Sequence, residues 1–136
     1  MAEAFTNFLG IVKTGSEKIV IPAATTNNNT SPVGDTTNTG VNKRTLDSIV
    51  IVNGLYVSST TTGTAYNISI FIKDNNYQSR PIYIVNNIPI PEHTGFFLER
   101  AITLTPSQSL VVSMPKELNP TNGVLHVSAS SIEVTK

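Results

Sequence analysis

The chain has 136 residues, no cysteine, only 13% charged residues, and nine acidic side chains against nine basic ones. That excludes disulfides, thiol catalysis and cysteine-ligated zinc, and it leaves no basic excess to release counterions from a nucleic acid. The length suits one layered core rather than two. The charged share is about half the usual one, so Thr, Asn and Ser dominate a surface that a partner can cover at low desolvation cost.

The first fifteen residues (MAEAFTNFLGIVKTG) set Phe5, Phe8, Leu9 and Val12 at helical spacing, but Gly10 weakens a helix. An N-terminal arm that packs on its own domain or on a neighbour fits equally well. The stretch has no basic start and no long apolar run, so it does not read as a secretory signal. Glu17 to Ala23 (EKIVIPA) reads as a strand. Thr25 to Asn42 is a polar tract rich in Thr, Asn and Gly, with Asn28, Asn29, Val33, Asp35 and Asn38 along it. Thr45 to Ser58 (TLDSIVIVNGLYVS) is the strongest strand signal. Leu46, Ile49, Ile51, Leu55, Tyr56 and Val57 are its core candidates, and Asn53-Gly54 marks a tight turn or a bulge. Thr64 to Lys73 (TAYNISIFIK) alternates with a period of two. Tyr66, Ile68, Ile70 and Ile72 share one face, and Asn67, Ser69, Phe71 and Lys73 the other.

Asp74 to Asn76 is a turn, followed by a short strand over Arg80 to Val85 with Pro81 at an edge or first position. Pro89 and Pro91 force an extended path. Gly95 to Leu104 reads as a strand that can break near Arg100. Leu110 to Met114 is a strand that stops at Pro115, and Val124 to Thr135 closes the chain. Seven or eight short strands, with no good helix after residue 15, predict a single all-β antiparallel sandwich, jelly-roll or immunoglobulin-like. It carries an N-terminal arm over 1–15 and a long polar loop at about 25–44.

No residue set carries recognisable catalytic chemistry. Ser109, His126 and Asp47 supply the residue types of a triad, but no nucleophile elbow surrounds the serine. His93 and His126 read as structural or surface residues. Glu92 and Glu99 are the nearest carboxylate pair, and Arg100 beside Glu99 explains it as an ion pair or solvated face. No metal-binding motif or phosphate-cradling loop occurs, so no cofactor and no metal is expected. Lys43-Arg44 is too little for a nucleic-acid patch, and no apolar run approaches the roughly 20 residues of a membrane helix. The glycosylation patterns at Asn28, Asn29 and Asn67 read as chance matches. Among the tyrosines, Tyr56, Tyr66 and Tyr83 read as core or boundary, and Tyr77 as a surface candidate.

The order of segments carries more than any one of them. IVIPAATT (Ile19 to Thr26) is followed by SIVIVNGLYVSSTTTGTAYNISIFI (Ser48 to Ile72), then YIVNNIPIPEHTGFFL (Tyr83 to Leu98), ITLTPSQSLVVS (Ile102 to Ser113) and HVSASSIEVT (His126 to Thr135). In that order the chain resembles small β-sandwich virion structural proteins of tailed bacteriophages, those of cyanobacteria among them. Asn27 to Asn42 looks like an insertion in the first connection, and Ser107-Gln108 stands where the group has Gly-Asp. The resemblance implies a non-enzymatic virion component: a capsid decoration or cement protein, or a neck or tail part. It would be assembled in the host cytoplasm, present in several copies, and in contact with major capsid, neck or tail proteins. The contact candidates are Phe5, Phe8 and Leu9 of the arm, Asn28, Asn29, Val33, Asp35 and Asn38 of the loop, and Tyr77. The alternative is a stand-alone carbohydrate- or protein-binding module, which calls for a surface cluster of aromatics.

Overall fold

The computed structural model describes residues 2–24, 44–59, 66–77, 80–91, 95–119 and 123–135. Among these, nine strands run in chain order: β1 (Ala2–Lys13), β2 (Ser16–Ile21), β3 (Ile49–Ser58), β4 (Tyr66–Asp74), β5 (Ile82–Ile90), β6 (Gly95–Leu98), β7 (Ile102–Leu104), β8 (Gln108–Met114) and β9 (Val124–Thr135). One sheet has the order β1-β9-β3-β6, with β7 continuing along β3 beyond β6; the other has the order β2-β8-β4-β5. All the pairings are antiparallel.

The pairs nest. β4 pairs with β5, β3 with β6 and β7, β2 with β8, and β1 with β9. The chain is therefore one long hairpin, with β4 and β5 at its tip and β1 and β9 at its base, rolled so that successive pairs fall in alternate sheets. Counting β6 and β7 as one broken strand, this is the eight-stranded jelly roll, so the immunoglobulin-like option drops out. The break near Arg100 falls between Leu98 and Ile102, as the sequence suggests.

The core lies between the sheets. β1 gives Phe8 and Val12, β3 gives Val50, Val52, Leu55 and Val57, β4 gives Tyr66, Ile68 and Ile70, β8 gives Leu110, Val112 and Met114, and β9 gives Leu125, Val127 and Ala129. Two expectations change here. The first thirteen residues are not an arm: β1 pairs with β9 residue for residue from Ala2 to Lys13. The four residues at helical spacing divide between the two faces of a strand, with Phe8 and Val12 inside and Phe5 and Leu9 on the other face. Phe8 is fully buried, so it is a core residue and not a contact candidate. In β3, Asn53-Gly54 is a bulge, because the register with β9 shifts between Val52 and Gly54. The extra residue switches the inward parity, so Val50 and Val52 are inside while Leu46, Ile49 and Tyr56 are exposed.

Arg44, the first described residue after 25–43, is buried at 1% exposure. Its Nη1 donates to the carbonyls of Pro22 (2.8 Å) and Gln108 (2.7 Å). Its Nη2 donates to those of Ser48 (2.7 Å), Leu104 (3.2 Å) and Thr105 (3.0 Å), and its Nε to Ser48 Oγ (3.2 Å). Burial pushes the guanidinium down to about 10, with Glu133 pulling it back up, so it stays charged at neutral pH. Ala24, the last described residue before 25–43, is tied to the same place: its N donates to Pro106 O and its O accepts from Asp47 N. The fork thus fastens the chain at Pro22 and at Arg44 to the β7–β8 turn and caps one end of the sandwich.

On the outside of the second sheet, Ile19, Val111, Phe71 and Tyr83 form a row across all four strands. Val111 is fully buried although it points outward. Lys73 Nζ explains this: it reaches across β8 to Glu17 Oε2 (3.1 Å) and stands 5.7 Å from the Phe71 ring centroid. At the end of β4 the Asp74 carboxylate is held below its ordinary value of 3.8, first by the Asn76 amide and then by Ser107 and Gln108. A folded value below the unfolded one means that the turn is favoured above about pH 4 and loses that support as pH falls through the folded value. An NMR titration should place the Asp74 midpoint below 3.8, with the Asn76 amide shifting in step.

Candidate functional interface

Alternation along β1, β9, β3 and β6 leaves every second residue of the first sheet facing away from the core. The registers assemble these residues into rows. Phe5 lies beside Ile132, and Ile132 beside Ile51. Leu9 lies beside Ser128, Ser128 beside Tyr56, and Tyr56 beside Phe97. Glu3, Val134 and Ile49 extend the first row, and Ile11, His126 and Ser58 extend the second. Glu3 and Lys13 stand at the two ends of β1, and His126 lies in the second row, so acidic and basic groups on these strands are few. Phe5 is 90% exposed, Phe97 55% and Tyr56 43%. An apolar surface of this extent, almost free of ions, is characteristic of surfaces that meet another molecule.

The aromatic part of the face is built on glycines. A Cβ on Gly95 would come within 2.7 Å of the Tyr56 ring, and one on Gly54 would come within 3.3 Å of the Phe97 ring. Each ring therefore lies over backbone that only glycine leaves clear, and the two rings meet at 6.1 Å and 55°. Rings that rest on backbone and on each other have less side-chain entropy to lose on contact than free ones. Beside it, Leu9, Tyr56, Ser58, His126 and Ser128 line a depression of about 150 Å³. Ser128 Oγ donates to Asn7 Oδ1 at 3.0 Å. A second depression of about 190 Å³, lined in part by Ala4, Thr45 and Glu133, lies on the other side of β1 and β9.

The contact candidates from the sequence divide accordingly. Phe5 and Leu9 are on this face, and Phe8 is in the core. Asn28, Asn29, Val33, Asp35 and Asn38 lie outside the described residues. Tyr77 ends a short 3-10 turn, Asn75–Tyr77, after β4. Tyr56 and Phe97, the ring pair of the face, escaped sequence reasoning because strand tyrosines and phenylalanines read as core. The signal that could have found them is the glycine paired with each ring.

The hypothetical triad does not come together. His126 points out from the first sheet, whereas Ser109 is in the second sheet, facing outward on the opposite side, with its Oγ donating to Lys73 O (3.5 Å). Asp47 sits in the turn before β3 at a positive φ of 59°. Glu92 and His93 lie outside the described residues. Among the described residues no cluster of three His, Cys, Asp or Glu could hold a metal ion, and no helix is long and apolar enough to cross a membrane.

No family model matches the chain, and no curated protein matches it. A solved structure, that of the antigen and type I fimbria protein of Burkholderia pseudomallei, aligns over 98% of this chain and 99% of its own at 16% identity and a TM-score of 0.30. That likeness is too slight to bear on fold or function.

Proposed function

We propose that the chain is a non-enzymatic structural part of a tailed-phage particle, a capsid decoration or a neck or tail component. On this reading it acts by docking the outer face of its β1-β9-β3-β6 sheet on another virion protein. The observation that carries the reading is that face: rows ending in Phe5 and Phe97, with Glu3 and Lys13 at the ends of β1 and His126 as the one other titratable group on the described strands of the rows. Two further features support it. The ordered segments resemble virion proteins, and the jelly roll is an architecture that viral capsid domains share with lectins and cupins. The fold alone is compatible with several functions.

Mass spectrometry of purified particles from the lysate in which this chain is expressed tests the reading; particles lacking the chain would overturn it. Within such particles, Tyr56→Ser with Phe97→Ser should keep the fold and weaken incorporation by about 30-fold or more, the effect of truncating a central aromatic anchor of about 2 kcal/mol. Particle yield of the variant against its circular dichroism separates docking from folding.

The Tyr56–Phe97 pair also favours a second reading, a carbohydrate-binding module, because flat rings flanked by Asn7, Ser128 and His126 suit a sugar face. The Phe5–Ile132–Ile51 row offers a sugar hydroxyl no partner, which is why the protein contact ranks first. Specific retention of the isolated domain on a glycan array would reverse that ranking.

A further inference from the structure

Among the described residues one acidic side chain is buried, that of Glu133 on β9, at 8% exposure. Its surroundings follow from unequal strand lengths. β1 is twelve residues long, and β2, the next strand and part of the other sheet, is six. The inward side of β1 is covered only towards its end: Phe8, Gly10 and Val12 are buried, Thr6 is half-buried, and Ala4 and Ala2 are exposed. The register sets Ala4 opposite Glu133 and Ala2 opposite Thr135. Small side chains at these positions leave space beside the carboxylate. That space is the depression of about 190 Å³, lined by Ala2, Ala4, Thr45, Glu133 and Thr135, with Glu3 between the two alanines.

The carboxylate is only half used. Its Oε1 accepts from Thr45 N, and its Oε2 has no hydrogen-bonding partner among the described residues. Arg44 feels the charge of Glu133. Yet the N–H groups of that guanidinium are committed to Ser48 Oγ and to the carbonyls of Pro22, Gln108, Ser48, Leu104 and Thr105. The attraction between the two is one of charge without a hydrogen bond. A carboxylate has about four acceptor sites, and buried polar groups are normally satisfied.

We infer that this depression binds a primary alkylammonium group, the head shared by a lysine side chain and a free aliphatic amine. Its N–H groups meet Glu133 Oε2, and its methylene stem lies along Ala2 and Ala4. The lining selects this class. A calcium ion takes about six to eight oxygen ligands, and no three acidic or histidine side chains converge among the described residues. A neutral apolar group would cover the carboxylate without pairing it. An ammonium on an aliphatic stem matches both parts of the lining, with a charge-assisted hydrogen bond at one end and apolar contact along the rest. The site is on the inward side of β1, away from the face proposed to dock, so the inference goes beyond the particle reading and stands without it.

The test is an amide NMR titration of the isotope-labelled full-length chain at neutral pH and constant ionic strength. One ligand is n-butylamine, a free amine; the other is Nα-acetyllysine N-methylamide, a lysine as a chain presents it. Saturable shifts should centre on Ala4, Thr45 and Glu133, with Thr45 foremost because its N–H shares the carboxylate. Dissociation constants should be on the order of millimolar, as suits a ligand of few atoms. n-Butanol, which keeps the stem and lacks the charge, should bind about tenfold more weakly or worse. Glu133→Gln keeps an acceptor for Thr45 N, removes the charge, and should weaken both amines by about tenfold or more. Ala4→Leu fills the depression from an exposed position and should abolish binding while circular dichroism stays that of the parent. It keeps the test decisive if Glu133→Gln does not fold. Binding of both amines assigns the site to lysine side chains as well as free amines, and binding of n-butylamine alone limits it to free amines. No saturable shift up to about 100 mM of either amine, or binding unchanged by Ala4→Leu, would overturn the inference and leave Glu133 as a counter-ion to Arg44. Incorporation into particles is read separately, so failure here leaves the particle reading untouched.

Discussion

Arg44→Ala should destabilise the domain by about 3–5 kcal/mol, the range for removing one member of a buried, fully hydrogen-bonded charged network. The guanidinium satisfies five buried or half-buried carbonyls and one hydroxyl. Deleting it orphans them, and each unmade buried bond costs about 1–3 kcal/mol before water or local relaxation recovers part of it. Domains of this size hold roughly 5–15 kcal/mol in all, so the loss is a large fraction of the whole. In a thermal melt it should appear as a fall of about 10 °C or more. Arg44→Lys keeps the charge but not the planar fork, so it cannot reach the Pro22 and Gln108 carbonyls and the Ser48, Leu104 and Thr105 carbonyls at once. It should recover less than half of the loss. Lys73→Ala is the control: its ion pair with Glu17 is nearly half exposed on both sides, and such pairs contribute at most about 1 kcal/mol. If Arg44→Ala unfolds at the same urea concentration as the parent, the fork does not fasten the chain at Pro22 and Arg44.

The same arginine shows where reading the sequence stops. Beside Lys43 it looks like half of an ordinary basic dipeptide, and nothing local distinguishes a solvated arginine from a buried one. Its acceptors come from Pro22, Ser48, Leu104, Thr105 and Gln108, which only the rolled topology brings together. By contrast β4 and β9 are readable directly, because a period of two over nine or twelve residues has one interpretation. β3 is half readable. Its strand character is plain, but a bulge inverts the face of everything before it, and Asn53-Gly54 admits a turn as well as a bulge. Pro89 reads as a residue that forces an extended path, and it lies within β5 opposite Asn67, since an edge strand does not need that amide on its open side. The interface is less readable still: its rows exist only across strands, so Phe5 meets Ile132 from the far end of the chain.

Phe8→Ala should cost about 3–5 kcal/mol, and Phe5→Ser no more than about 0.5 kcal/mol. The two phenylalanines are three residues apart on β1, a spacing that sends one to each face of a strand and both to the same face of a helix. Phe8 is fully buried and lies opposite Ala129, a small partner that leaves room for the ring. Removing the ring opens a cavity that neighbours fixed in two sheets cannot close. Phe5 is 90% exposed, so its loss changes little within one folded subunit. Urea titrations of both variants, at low micromolar concentration so that self-association does not contribute to the stability, measure the contrast. Deleting residues 2–13 tests the same point more severely. It removes Phe8 and Val12 together and exposes the twelve-residue edge of β9, so the truncated chain should be unfolded or aggregated. Equal costs at Phe5 and Phe8, or a stable truncated domain, would return these residues to the status of a detachable arm.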